Sequence, residues 1–345
     1  MALPTITIDI IRHAEAQHNI LGSHIRDPPL TAAGRAQSRE LARGFPYSRQ
    51  VARVVASPLR RTIETATVAF ADSVLRAPSS PGRQKQQKKQ QKKPKKILLL
   101  PELQEVNPYP SSTGSSPDAL SAACGNELVD WTGLDPQWFL KGPDTDFAPI
   151  PEKVEERARR ARVYLRELAR TVVGERNNNN NNNNNDDDKD GGGGGSSSSS
   201  HDTNDGDGDD SNGPHIVVVT HGEFAHWLTG DFVGVDHRHN TGWWNAEFRS
   251  YRFAGPPDLH EGDTEAALVE TARSRDMRRA YSFSAEKPPT LAENASFKAV
   301  ATKRVLAYAA VQEEEEWEDV DADVRNEVGE VVQSEEEREV VVVGR

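Results

Sequence analysis

The sequence predicts an α/β fold: a three-layer α/β/α sandwich around a mainly parallel central sheet. Three observations carry that reading. Short apolar runs rich in β-branched residues alternate with helical patterns up to about residue 253. Those runs are apolar nearly throughout, as in strands covered on both faces. The long polar tracts fall between elements, where an insertion costs little because loop-closure entropy grows only logarithmically.

The elements follow in order. Thr5–Ile11 alternates Ile6, Ile8 and Ile10 and then runs on apolar, which suits a buried strand. Asp27-Pro28-Pro29-Leu30-Thr31 is a turn ending in a helix N-cap, and a helix is expected from Ala32 to about Arg43 with Gly44 as its stop. Val51–Ala56 is a second strand, and Pro58 opens a helix to about Phe70. Ile97–Leu100 reads as a short third strand, and Pro117–Phe147 as irregular and aromatic. Val154, Ala158, Ala161, Leu165, Leu168 and Val172 then recur at steps of four and three, the clearest helical stripe in the chain. Ile216–Val219 forms a fourth strand, Phe224–Phe232 a helix and Ala246–Phe253 a fifth strand.

Of the 345 residues only 35% are hydrophobic, and the shortfall is local. Arg83–Lys96 is a Gln/Lys tract, Asn177–Gly213 runs through poly-Asn, poly-Gly and poly-Ser, and Glu313–Glu339 is acid-rich. Such segments bury too little apolar surface to offset their ordering entropy. The expected organisation is one domain over 1–312, interrupted by inserts at 79–96 and 176–214, with an acidic, disordered tail over 313–345. Residues 83–96 carry +8, 186–210 carry −8 and 312–345 carry −11, so the net charge of −12 leaves the remainder within one unit of neutral. The acidity therefore describes the tails and says nothing of a ligand.

One cysteine, Cys124, excludes an internal disulfide framework and a multi-cysteine zinc module. The N-terminal segment reads as a strand rather than a signal peptide, and no run approaches the roughly 18 apolar residues of a membrane span. A soluble cytoplasmic protein without membrane contact is expected. Lys88–Lys96 admits the nucleus as a second compartment, although without interleaved aromatic residues no nucleic-acid binding is expected.

The chemistry lies after the strands. Strand one runs into Arg12-His13, strand two into Ser57-Pro58-Leu59-Arg60-Arg61, strand three through Pro101 to Glu102 and Glu105, and strand four into Thr220-His221-Gly222. In an open parallel sheet these loops converge where ligands bind. Arginine forks suit phosphoryl oxygens. An imidazole can attack as a nucleophile, and a carboxyl group can protonate a departing alcohol and later deprotonate water. Phosphoryl transfer needs in-line positioning and charge neutralisation, which this set supplies with neither metal nor cofactor.

Arg12-His13-Ala14-Glu15…Asn19, Leu30-Thr31…Gly34…Gln37, Ser57-Pro58-Leu59-Arg60-Arg61-Thr62…Thr65-Ala66, Leu103-Gln104-Glu105 and Thr220-His221-Gly222 together resemble the histidine phosphatase superfamily, also called phosphoglycerate mutase-like. The resemblance covers roughly residues 5–75, 97–130 and 214–253, with five motifs in the family's order. It implies a phosphoglycerate mutase-like fold and a phosphomonoester hydrolase acting through a phosphohistidine on His13. It implies Arg12, Arg61 and His221 as the phosphate pocket, with Asn19, Ser57 and Gly222 as further phosphate contacts. It places Glu105 at the acid position, with Glu102 as the competitor. Ala14 departs from the family's usual Gly, where a methyl would narrow the pocket. The runner-up activity is a phosphoglycerate-type phosphomutase; a reading of another class is a catalytically weak phosphate-binding module. The expected partner is a small phosphorylated substrate.

Other features take plainer readings. His215, His226 and His260 are expected to be structural, and Arg60 to be solvated or at the substrate rim. Asp202–Asp210 lacks the glutamate that closes a calcium loop. His237 and His239, beside Asp236, are expected to border the substrate mouth rather than bind metal, and Trp243-Trp244-Asn245 to pack beside it.

Overall fold

The computed structural model describes residues 6–75, 95–184, 213–236, 241–254, 263–279 and 289–314. Seven strands form one sheet in the order β4-β3-β2-β5-β1-β6-β7. They are β1 (Thr7–Arg12), β2 (Val51–Ala56), β3 (Ile97–Leu99), β4 (Val129–Asp130), β5 (His215–Thr220), β6 (Phe248–Phe253) and β7 (Leu268–Glu270). The pairings among β1 to β5 are parallel, while β6 runs antiparallel to β1 and to β7. The expected mainly parallel α/β sandwich is therefore present, with an antiparallel margin. The fully buried β5 lies between β1 and β2, which explains its unbroken apolar run.

Two separate cores lie on the two faces of the sheet. On one face Val54, Val217, Val219 and Ile11 pack with Leu41 of α2 (Ala32–Gly44) and with Ile63, Ala66 and Phe70 of α3 (Arg60–Leu75). On the other, Ile8, Ile10, Val55, Ile216 and Val218 meet Val154, Ala158, Ala161 and Leu165 of α5 (Pro151–Asn184) and Phe224 and Leu228 of α6 (Gly222–Thr229). The stripe read from the sequence is the buried face of α5, with Leu168 partly buried at its margin. Truncating a core leucine such as Leu165 to Ala would cost about 2–5 kcal/mol.

Several boundaries differ from expectation for identifiable reasons. Gly44 does not stop α2: it is the helix's last residue, and Phe45 ends it in an extended conformation. Pro58 precedes α3 instead of opening it, because Asp27 Oδ1 accepts the Arg60 amide at 2.8 Å and fixes the helix start there. The helix after β5 begins at Gly222, not Phe224, and ends at a left-handed Gly230. The expected insert boundary at 176 is overrun, since α5 continues to Asn184; propagating an existing helix is far easier than nucleating one. The irregular aromatic stretch contains α4 (Pro117–Cys124), with Ser116 as its N-cap, and the two-residue β4. The sequence reading assigned neither β7, nor α7 (Ala272–Arg279), nor α8 (Leu291–Glu314). From α8, Ala301, Val305 and Tyr308 join the core on the α5 side.

No helix among the described residues is long and apolar enough to cross a membrane. The Asp202–Asp210 run, His237, His239, His260 and the 315–345 tail lie outside the described residues, as does most of Lys88–Lys96.

Candidate active site

The C-terminal ends of β1, β2 and β5 are locked in register just where they stop. The His13 amide donates to Thr220 O at 2.9 Å, and the Ser57 amide to Val219 O at 3.0 Å. This carries three strand-end side chains to one edge of the sheet. The His13 and His221 rings lie 5.3 Å apart, centroid to centroid. His221 Nε2 shares a 2.9 Å hydrogen bond with Ser57 Oγ. Gly222 follows at the start of α6, where an added Cβ would meet Thr241 Oγ1 at 2.6 Å, so that approach requires glycine.

His13 is buried, and its Nδ1 lies 2.8 Å from Ala14 O. A carbonyl can only accept, so Nδ1 carries the proton and Nε2 keeps a lone pair. Burial, then Arg61 and Arg12, hold the ring's pKa well below the usual 6.5, which keeps it neutral and nucleophilic. Arg12 Nη1 donates to Trp243 O, and Arg61 Nη1 to Ser111 O at 2.5 Å. Among the described residues, the Nε of each is buried without a hydrogen-bond partner. Burial pulls Arg61 down to about 10, against the pull of Glu105 and Asp27. Two guanidinium groups held by carbonyls, each with an unmatched donor, form a cationic cup beside His13.

The two candidate acids are separated by geometry. Glu102 turns toward α5, its Oε1 3.8 Å from Arg160 Nε. Glu105 turns inward: its Oε1 accepts the Phe224 and Val106 amides, each at 3.0 Å, which leaves Oε2 for a proton. The loop that bears it is pinned by Lys141, whose buried Nζ donates to Glu105 O at 2.7 Å and Asn107 O at 2.8 Å. Behind it, Arg157 lies over the Phe224 ring at 4.5 Å, and burial lowers its pKa to about 9. Glu223 accepts the Tyr308 hydroxyl at 3.0 Å, and burial, then Glu105, raise its carboxyl to about 8. Lys141, Arg157, Glu223 and Tyr308 went unread in the sequence: each comes from a different segment and carries no local motif.

The loop between β1 and α2 is held from several sides. Thr65 Oγ1 accepts the Ala14 amide at 3.0 Å, and Gln37 Oε1 the Glu15 amide at 2.9 Å. Thr31 caps α2 through Gly34 N at 2.9 Å and donates to Glu15 Oε1 at 2.6 Å. A Cβ on Gly34 would come within 1.9 Å of Glu15 O, so α2 can approach this closely only at glycine. The Ala14 methyl packs with Ala16 and Leu30, so the extra carbon is absorbed in an apolar cluster. Asn245 Nδ2 donates to His13 O at 3.0 Å, and Trp243 O receives Arg12, so the Trp243–Asn245 stretch holds His13 and Arg12 in place.

Asn19 is exposed, with its amide engaged locally: Oδ1 accepts the Ala16 amide at 2.9 Å and Nδ2 faces His18 Nε2 at 3.3 Å. Arg60 pairs with Glu64 at 2.9 Å, away from the cup. His215 bonds Asp9 at 2.7 Å, and His226 sits between the carbonyls of Asp231 and Thr241, both in keeping with structural roles. Cys124 is half-buried, and burial raises its thiol to about 12. Among the described residues no cluster of three or more His, Cys, Asp or Glu could hold a metal ion.

Residues 8–77 match the family model of the histidine phosphatase superfamily (branch 1), so the resemblance carried by the motifs is shown over that stretch. No curated protein matches the chain. Among solved structures, the chain is similar to Mycobacterial hydrolase 1 at 17% identity and TM-score 0.39, over 77% of this chain and 96% of that one. It is similar to the mycobacterial glucosyl-3-phosphoglycerate phosphatase at 14% identity and TM-score 0.38, over 77% and 96%. It is also similar to a phosphoserine phosphatase from Entamoeba histolytica at 15% identity and TM-score 0.35, over 77% and 95%.

Proposed function

We propose that the chain, whose residues 8–77 carry the histidine phosphatase match, is a metal-independent phosphomonoester hydrolase acting on a small phosphorylated substrate through His13. The observation that carries this reading is the neutral His13 imidazole, its Nδ1 hydrogen committed to Ala14 O, beside two arginines whose Nε donors lack partners among the described residues. Arg12, Arg61 and His221, with Ser57 and Gly222, hold the phosphoryl group; Asn19 stands at the rim, its side chain engaged with Ala16 and His18. The His13 Nε2 lone pair attacks phosphorus as the bond to the leaving oxygen breaks. That oxygen takes the proton from Glu105. Glu105, now a carboxylate, deprotonates a water that attacks phosphorus; the P–N bond breaks, its electrons return to Nε2, and inorganic phosphate leaves. One α/β unit, interrupted between α3 and β3 and between α5 and β5, provides the scaffold.

Rapid quench with p-nitrophenyl phosphate tests it. Acid-labile phosphate is expected on wild-type protein and absent from His13→Ala, whose turnover falls at least about 10³-fold with an unchanged circular dichroism spectrum. Return of that phosphate to substrate with dependence on a bisphosphorylated primer would instead identify a mutase. Phosphate binding without trapping or turnover would identify a binding module.

A further inference from the structure

A third imidazole stands beside the cup. The ring of His18, on α1 (Gln17–Leu21), lies 5.5 Å from that of His13, centroid to centroid. Its tautomer follows from its neighbour. Asn19 Oδ1 is taken by the Ala16 amide, so the group facing His18 Nε2 at 3.3 Å is the Asn19 amide nitrogen, a donor. Nε2 therefore accepts, and Nδ1 carries the hydrogen. That Nδ1 is buried and, among the described residues, has no hydrogen-bond partner. Burial, then Arg61 and Arg12, press the His18 pKa down to about 2, so the ring stays neutral and keeps a single N–H. A buried donor without an acceptor is costly, and two cations beside it call for an anionic one.

We infer that His18 is a further phosphoryl-binding residue, its Nδ1–H donating to an oxygen of the phosphoryl group held by Arg12 and Arg61. The inference rests on the proposed phosphate cup but not on the phosphohistidine chemistry. Asn19 then acts through His18, fixing which nitrogen carries the hydrogen, rather than reaching the phosphate itself.

Isothermal titration of the full-length chain with inorganic phosphate and with orthovanadate tests it on three proteins. An asparagine amide sits the same number of bonds from the backbone as Nδ1, so His18→Asn retains a donor there, whereas His18→Leu removes it. The expected result is a Kd for both anions about tenfold weaker in His18→Leu and within about threefold of wild type in His18→Asn. Asn19→Asp, which presents only acceptors to His18 Nε2, should move the hydrogen to Nε2 and weaken binding to a similar degree. Unchanged affinity in His18→Leu would overturn the inference, as would an Asn variant as weak as the Leu variant with the same thermal stability. Wild-type protein that binds neither anion would sink the cup itself. Phosphate binding that depends on His18, in a protein that traps no phosphohistidine, would leave this inference standing and remove the proposed function.

Discussion

Strands β1 and β5 carry a histidine site at each end. At their N-terminal end His215 Nδ1 meets Asp9 Oδ2 at 2.7 Å, Ser250 donates to Asp9 Oδ1 at 2.6 Å, and Tyr47 stacks on the imidazole at 4.2 Å. Both partners are fully buried, and the imidazole faces a carboxyl group. At the C-terminal end, one strand length away, His13 and His221 have, among the described residues, no carboxylate hydrogen-bonded to either ring. Their neighbours are Arg12 and Arg61, whose terminal nitrogens donate to carbonyl groups. Residue type is the same and burial is the same; what differs is whether the imidazole is hydrogen-bonded to a carboxyl group or stands beside guanidinium groups. A closed end stabilises a fold, and an open cationic end is poised for an anion.

The sharpest way to break this contrast is to exchange what each end loses. Arg61→Met is expected to lower kcat/KM for a phosphomonoester by about 10²–10³-fold at little cost in stability. Arg61→Lys should recover only part of it, since a point charge does not reproduce the fork. Steady-state kinetics alongside urea denaturation check both. Glu105→Gln should cost about 10²–10⁴-fold on an alkyl phosphate and much less on p-nitrophenyl phosphate, whose leaving group needs no proton. Equal losses on both would remove Glu105 from the acid role. At the closed end, Asp9→Leu leaves His215 and Ser250 without their acceptor and should cost about 3 kcal/mol of stability. Phosphate affinity of the folded protein should stay unchanged; a loss there would show that the two ends are coupled.

A smaller effect tests the open end through pH. His13, His18 and His221 all have pKa values lowered by burial, so below about 6.5 the unfolded chain takes up protons that the folded one refuses. Asp27, raised to about 6, and Glu223, raised to about 8, act oppositely, because the folded chain keeps their protons where the unfolded chain has lost them. Near pH 5.5 the histidines outweigh the two carboxyl groups, so the unfolded chain is the more protonated state. Ligand-free stability should therefore fall from pH 6.5 to 5.5, measured by urea denaturation at each pH. Saturating phosphate should blunt the fall, and a flat profile would contradict the buried, neutral cluster.

Most of the sheet and the strand-end part of the site were legible in the sequence. Apolar runs ending in Arg12-His13, Ser57 and His221 mark both the strands and the edge where they stop, because a buried strand must give way to polar residues where the core ends. The α5 stripe was legible for the same reason. The α8 stripe was not: Ala301, Val305 and Tyr308 sit among polar residues with too little contrast between faces, and β7 is only three residues long. Lys141 and Glu223 read as ordinary surface charges until the packing of separate segments buries them beside Glu105.

By itself the sequence determined the order of the main strands and helices through β6, the residue types at the strand ends, and a superfamily match over residues 8–77. These are local properties, set by periodicity and by the chain's covalent order. Only the tertiary structure decided which carboxylate faces inward, which histidines meet charge and which meet cation, and that Trp243 and Asn245 hold Arg12 and His13. Those outcomes depend on segments far apart along the chain coming within hydrogen-bond distance, and that distance is a property of packing, which no local pattern encodes.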